Sequence, residues 1–107
     1  MSRLLDEDPE AGYMTRISDH DLKTRPQLMK MAEYAVTENN KKAPKSETLK
    51  LVSLDRGYYL IEAGADTIIF DLYIIVSSAH LGQIKYKAEV HAGEPGHEYY
   101  LTSFTRL

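Results

Sequence analysis

Few residues in this chain have types and spacings that suggest chemistry. His91 and His97 flank the turn Gly93-Glu94-Pro95-Gly96, and across a hairpin they would face each other with Glu94 nearby. Imidazole and carboxylate are metal-ligand types, but the spacing matches no recognised ligand set, and histidines on a polar strand face are ordinarily solvated. Ser77 and Ser78 stand close to His80. A hydrolase needs its serine, base and orienting acid to converge, and here these residues read as turn residues. Asp71 is the one carboxylate inside a strongly apolar strand, but alternation puts it on the outer face. No nucleophile–base set emerges. The expectation is a binding protein, not an enzyme, with no cofactor and no metal.

The elements that position these residues follow from periodicity. Leu28, Met31, Ala32, Ala35 and Val36 recur at i, i+3, i+4, i+7 and i+8, one face of a helix. Pro26 suits the first turn, and Thr24 precedes Gln27 at capping-box spacing. Asn39-Asn40 and then Pro44 mark the end, so a helix is expected over Pro26 to Lys42. The small Ala32 and Ala35 let a curved sheet approach closely.

After the helix the period changes to two. Thr48 to Ala63 is strand-like, with Asp55-Arg56-Gly57 as an interruption and Gly57 as a bulge. In Thr67 to Ser77, residues Ile68, Phe70, Leu72, Ile74 and Val76 share the face under the helix. Gln83 to Ala92 alternates: Ile84, Tyr86, Ala88 and Val90 inward; Lys85, Lys87, Glu89 and His91 outward, as in an antiparallel sheet with a solvated back. A last strand runs from Glu98 to Arg106. Tyr58, Tyr59, Tyr99 and Tyr100 read as cross-strand packing, or as an interaction surface where exposed together. Before the helix, Ser18 to Asp21 reads as a turn and Gly12 to Ile17 as a short strand. Residues 1–11, rich in Asp and Glu, read as a flexible tail. The fold class is α+β: one helix packed across a four- to five-stranded antiparallel sheet, one domain over 12–107.

Composition narrows the partners. The chain has 107 residues and a net charge of −3, with no basic cluster of the kind nucleic acid requires. It has no cysteine, so disulfides and thiolate metal sites are excluded. No apolar run reaches membrane-spanning length. With no basic-then-apolar leader, a cytoplasmic protein is the simplest expectation, and secretion after removal of a leader stays open.

Met31-Ala32-Glu33-Tyr34-Ala35-Val36, closed by Asn40, resembles the plant-cystatin helix signature leucine-alanine-x-phenylalanine-alanine-valine, three variable residues, asparagine. Leu101-Thr102-Ser103-Phe104 is similar to the leucine-x-x-phenylalanine of the cystatin last strand. Cystatins inhibit papain-like cysteine proteases, and their fold is strand, helix, then four strands. The resemblance implies a wedge of three elements: an N-terminal glycine, here Gly12; a first hairpin loop, here Leu60, Ile61, Glu62, Ala63 and Gly64; and a second, here Pro95 and Gly96. The family's first loop is glutamine-x-valine-x-glycine and its second is usually proline-tryptophan. Leu60 replaces the glutamine, Glu62 the valine and Gly96 the tryptophan, and the chain has no tryptophan. A carboxylate entering an apolar cleft loses hydration, and a large aromatic anchor is absent. The expectation is therefore a weak or atypical inhibitor. The alternatives are a non-inhibitory interaction module or a small-ligand-binding or enzymatic α+β cone that uses the concave sheet face. Because cystatin-type hairpins exchange strands between chains, the resemblance implies a monomer or a strand-exchanged dimer.

Overall fold

The helical stripe and the alternating segments assemble as their periods require. The computed structural model describes residues 14–61, 64, 67–93 and 99–107. A two-residue strand β1 (Thr15–Arg16) leads to a short helix α1 (Asp19–Thr24) and the main helix α2 (Pro26–Lys42). Four strands follow: β2 (Leu49–Ile61), β3 (Ile68–Ser78), β4 (Gly82–Ala92) and β5 (Tyr99–Arg106). They form one five-stranded antiparallel sheet in the order β1-β2-β3-β4-β5. The architecture is α+β, one main helix across an antiparallel sheet. No helix among the described residues is long and apolar enough to cross a membrane. The acidic tail expected over 1–11 lies outside the described residues.

Helix α2 buries Leu28, Met31, Ala32, Ala35 and Val36, the five positions its period selects. They meet Leu72, Ile74, Val76, Ala88 and Val90, all fully buried on the inner face of the sheet. Burying each of the larger side chains stabilises the fold by about 1.5–3 kcal/mol. Around this centre Tyr86 stacks on Phe104 with ring centroids 4.7 Å apart. Tyr34 meets Tyr99 edge-on at 5.7 Å, joining α2 to β5.

The helix starts differently from the capping-box expectation. Thr24 ends α1 and donates from Oγ1 to the His20 carbonyl (2.8 Å), so it is not available to cap α2. The N-cap of α2 is Arg25, without a side-chain cap bond. The expected turn over Ser18 to Asp21 is instead the start of α1. Ser18 caps it by accepting from Asp21 N at 3.1 Å. A serine followed by two aspartates in four residues fits a helix N-terminus as well as a turn.

At the other end of α2, Asn40 ties helix to sheet. Its Nδ2 donates to the Leu49 carbonyl, and Leu49 N donates to Asn40 Oδ1, both at 2.9 Å. One side chain thereby replaces the strand partner that the first residue of β2 lacks on that side. Asn40→Ala is expected to destabilise the domain by about 1–3 kcal/mol, because two partly buried backbone groups lose their partner. Asn39→Ala, the neighbouring control, should change it by less than about 0.5 kcal/mol. Urea unfolding of the two variants checks this.

Strand β2 is continuous for 13 residues, so Asp55-Arg56-Gly57 does not interrupt it. Its register slips between Leu51 and Ser53 and again between Leu54 and Arg56. The bulged residues are Val52 and Asp55, not Gly57, which pairs in register with Leu72. Gly57 serves close approach: a Cβ there would lie 3.1 Å from Ile17 Cδ1 and 3.2 Å from Leu72 Cδ2. Ile17 donates its amide to the Gly57 carbonyl at 2.8 Å and fills that space.

Candidate binding edge

Strand register brings several parts of the chain to one end of the sheet. Ile61 of β2 pairs with Ile68 of β3, Ile68 with Ala92 of β4, and Ala92 with Tyr99 of β5. This transverse row is the last rung before the β2–β3 and β4–β5 connections, so both hairpins turn at the same end. Strand β1 lies beside it, with Thr15 opposite Tyr59. Strand β1 therefore begins at this end and runs away from it. Antiparallel meander topology makes the coincidence obligatory for connections separated by two strands.

Of the residues expected to bind a partner, Leu60, Ile61 and Gly64 lie within the described residues; Gly12, Glu62, Ala63, Pro95 and Gly96 lie outside them. Leu60 and Ile61 are the final rungs of β2 and not loop residues, which corrects the expectation that the loop begins at Leu60. Leu60 is half-buried opposite Ile69. Ile61 is 62% exposed, an apolar side chain presented at the sheet end. Gly64 has φ +79°, a left-handed turn conformation that glycine adopts without penalty.

The outer face of the sheet at this end carries a row of Leu60, Ile69, His91 and Tyr100, with Tyr100 60% exposed. Beside it, Glu89 accepts from Thr102 Oγ1 at 2.8 Å and lies 3.1 Å from His91 Nε2. Partial burial pushes the Glu89 carboxyl up. The bonds from Thr102 and His91 and the nearby Lys87 charge outweigh burial and hold it below its ordinary value. No group of three or more metal-ligand side chains is gathered among the described residues. Glu94 and His97, named with His91 as metal-ligand types, lie outside them. Ser78 Oγ accepts from His80 N and Leu81 N, both at 3.3 Å, in the β3–β4 turn.

The back of the sheet is not simply solvated, contrary to the alternation argument. Asp71 is on the outer face as expected, but it is only 3% exposed. Lys87, expected in water, is 8% exposed, with Nζ 3.9 Å from Asp71 Oδ2. Tyr58 and Tyr73 meet edge-on at 5.8 Å, Met14 packs on them, and the Arg56 guanidinium lies 4.4 Å over the Tyr73 ring. The aromatic–charge alternation Arg56, Tyr58 on β2 against Asp71, Tyr73 on β3 was the available signal. Read strand by strand it looks solvated; paired across strands it builds a second small core.

Among the described residues, the inner face at the same end borders a cleft. A cleft of about 450 Å³ lies between the start of α2 and the sheet, walled by Leu28, Met31, Tyr59, Ile61, Ile68 and Phe70, with Arg16, Asp21 and Arg25 at its polar side. The centre of the sheet leaves no such space: Leu72 and Val90 are fully buried and Tyr86 is stacked. Periodicity located the apolar wall. It did not reveal that α1, the start of α2 and the sheet end together bound a cleft. Compared with protein-family models, with curated proteins and with solved structures, the chain finds no match in any of the three.

Proposed function

We propose that this protein is a cystatin-like binding protein that engages papain-like cysteine proteases weakly through the end of its sheet. One observation carries the reading: β2 and β4 end, β3 and β5 begin, in the row Ile61–Ile68–Ala92–Tyr99, and β1 begins beside it. Such an edge is narrow and held by a rigid sheet, which lowers the ordering cost of binding. The signature residues on α2 support the reading, because Ala32 and Ala35 are fully buried and Asn40 holds the start of β2. Binding is weak because the glutamine, valine and tryptophan positions of the wedge are Leu60, Glu62 and Gly96.

The test is inhibition of papain by the purified protein and by a Glu62→Val, Gly96→Trp double variant. Restoring an aromatic anchor and removing a carboxylate is expected to tighten inhibition by more than about tenfold. Tight inhibition by the unmodified chain would refute weakness. Absence of a gain in the double variant would show that these loops are not a protease wedge, leaving a non-inhibitory interaction module as the reading.

A further inference from the structure

We propose that the end of the sheet opposite the binding edge docks on an anionic lipid surface, with Leu81 at the point of contact and lysines around it. This goes beyond the protease reading and uses the other end of the molecule. Residues 41–50 hold four of the chain's eight lysines, none of its five arginines and one of its sixteen acidic residues. The chain as a whole carries −3, so positive charge is concentrated in this segment. Lys41, Lys42, Lys45 and Lys50 are all exposed. Lys41 is paired with Glu38 at 2.6 Å. Among the described residues Lys42, Lys45 and Lys50 form no ion pair, and the segment sets one carboxylate, Glu47, against them.

The fold gathers this charge around a hairpin tip. Asn40 bonds both backbone groups of Leu49, which fixes the end of α2 beside the start of β2. Leu49 pairs with Ser78, and Ser78 with Gly82, so the β3–β4 turn lies in the same row. Leu49 is buried toward α2, so Lys50 stands on the outer face, while Lys41 and Lys42 close the helix on the inner side. Lysines therefore flank the tip on both faces. Residues 79–83 are exposed throughout, with Leu81 at 60%, on a turn braced by the His80 and Leu81 amides donating to Ser78 Oγ. One exposed leucine is ordinary. A leucine at a protruding tip between unpaired lysines has the two parts of an interfacial anchor, an apolar group that can leave water and cations that meet headgroups. Lysine suits that role: it acts as a point charge in the field of many headgroups, whereas arginine matches one partner in a two-point fork. An acidic polypeptide or a nucleic acid would use the lysines without the leucine. The contact is peripheral, since no helix among the described residues is long and apolar enough to cross a membrane.

The experiment mixes the full chain with vesicles of phosphatidylcholine containing about one third phosphatidylglycerol and measures cosedimentation. The expected result is saturable binding, at least about tenfold stronger than to phosphatidylcholine alone and weakening as salt rises. Lys42→Glu with Lys50→Glu should lower it at least about tenfold, and Leu81→Ser about fivefold. The chain has no tryptophan, so Leu81→Trp reports on its own surroundings, and its fluorescence should shift to the blue when the anionic vesicles are added. All three positions are exposed, and circular dichroism checks folding. The proposal is overturned by absence of vesicle binding or by equal binding to neutral vesicles. It is also overturned by unchanged binding of the folded charge-reversal or Leu81→Ser variant, or by a Leu81→Trp spectrum that does not move. Binding to polyglutamate or duplex DNA as tight as to the vesicles would assign the lysines to an acidic macromolecule, and equally overturn it. The protease reading stands or falls separately, because none of these residues belongs to its edge.

Discussion

Val36→Asp unfolds most of the domain. Val36 is 5% exposed on the buried face of α2, within the cluster that joins helix to sheet. A carboxylate there leaves water without a cation among its apolar neighbours, and either stays charged at high cost or takes up a proton. The expected loss is about 4 kcal/mol or more, large against the roughly 5–15 kcal/mol that holds a typical domain. Thr37→Asp, one residue on, is exposed and should change stability by less than about 0.5 kcal/mol. Urea unfolding monitored by circular dichroism separates the two. A Val36→Asp midpoint near that of the unmodified protein would mean that α2 does not hold the sheet through this face.

Lys87→Met carries the second largest effect. The ammonium and the Asp71 carboxylate are both buried on the back of the sheet, with side chains 10% and 5% exposed. At 3.9 Å the pair is at the long end of contact, so its attraction does not greatly exceed the cost of desolvating both ions. Removing one ion is another matter, because the carboxylate then stays buried without this cation. The expected cost is about 3 kcal/mol. Asp71→Leu combined with Lys87→Met should recover most of it, since the replacement pair is apolar and close in volume. A double-mutant cycle measures the coupling, expected at about 1–3 kcal/mol. Arg56 lies over the Tyr73 ring in the same cluster. A loss below about 0.5 kcal/mol for Lys87→Met alone would show that the Asp71–Lys87 pair does not hold the back of the sheet.

The two experiments probe opposite faces of one sheet, and both bear on the proposed binding edge. The edge is only as rigid as the strands that end in it. Ile61, Ile68, Ala92 and Tyr99 continue strands whose inner residues pack on α2 and whose outer residues pack on the Asp71–Lys87 cluster. Loosening either face should therefore weaken the proposed protease binding along with stability, whereas Glu62→Val with Gly96→Trp should change that binding alone.

Local pattern by itself determined the elements that have a strong period. Helix α2 has the bounds that Pro26, the apolar stripe and Pro44 dictate, because a helix face repeats every three to four residues and proline punctuates it. The inner face of β3 was equally legible: five alternating apolar residues have one way to bury themselves. Short and paired features were not. Ser18-Asp19-His20-Asp21 supports a turn or a helix start, and the contact of Leu22 with the core decides for α1. The bulges at Val52 and Asp55 depend on how β2 must slip to keep Leu51 and Leu54 against the core, a demand made by β3 and α2. Asp71 and Lys87 each look solvated within their own strand, and only their meeting beside Tyr58 and Tyr73 buries them. The cleft belongs to the same class. Part of its wall is written in alternating residues, but the way α1, α2 and the sheet end come together around it is specified by no single stretch of chain.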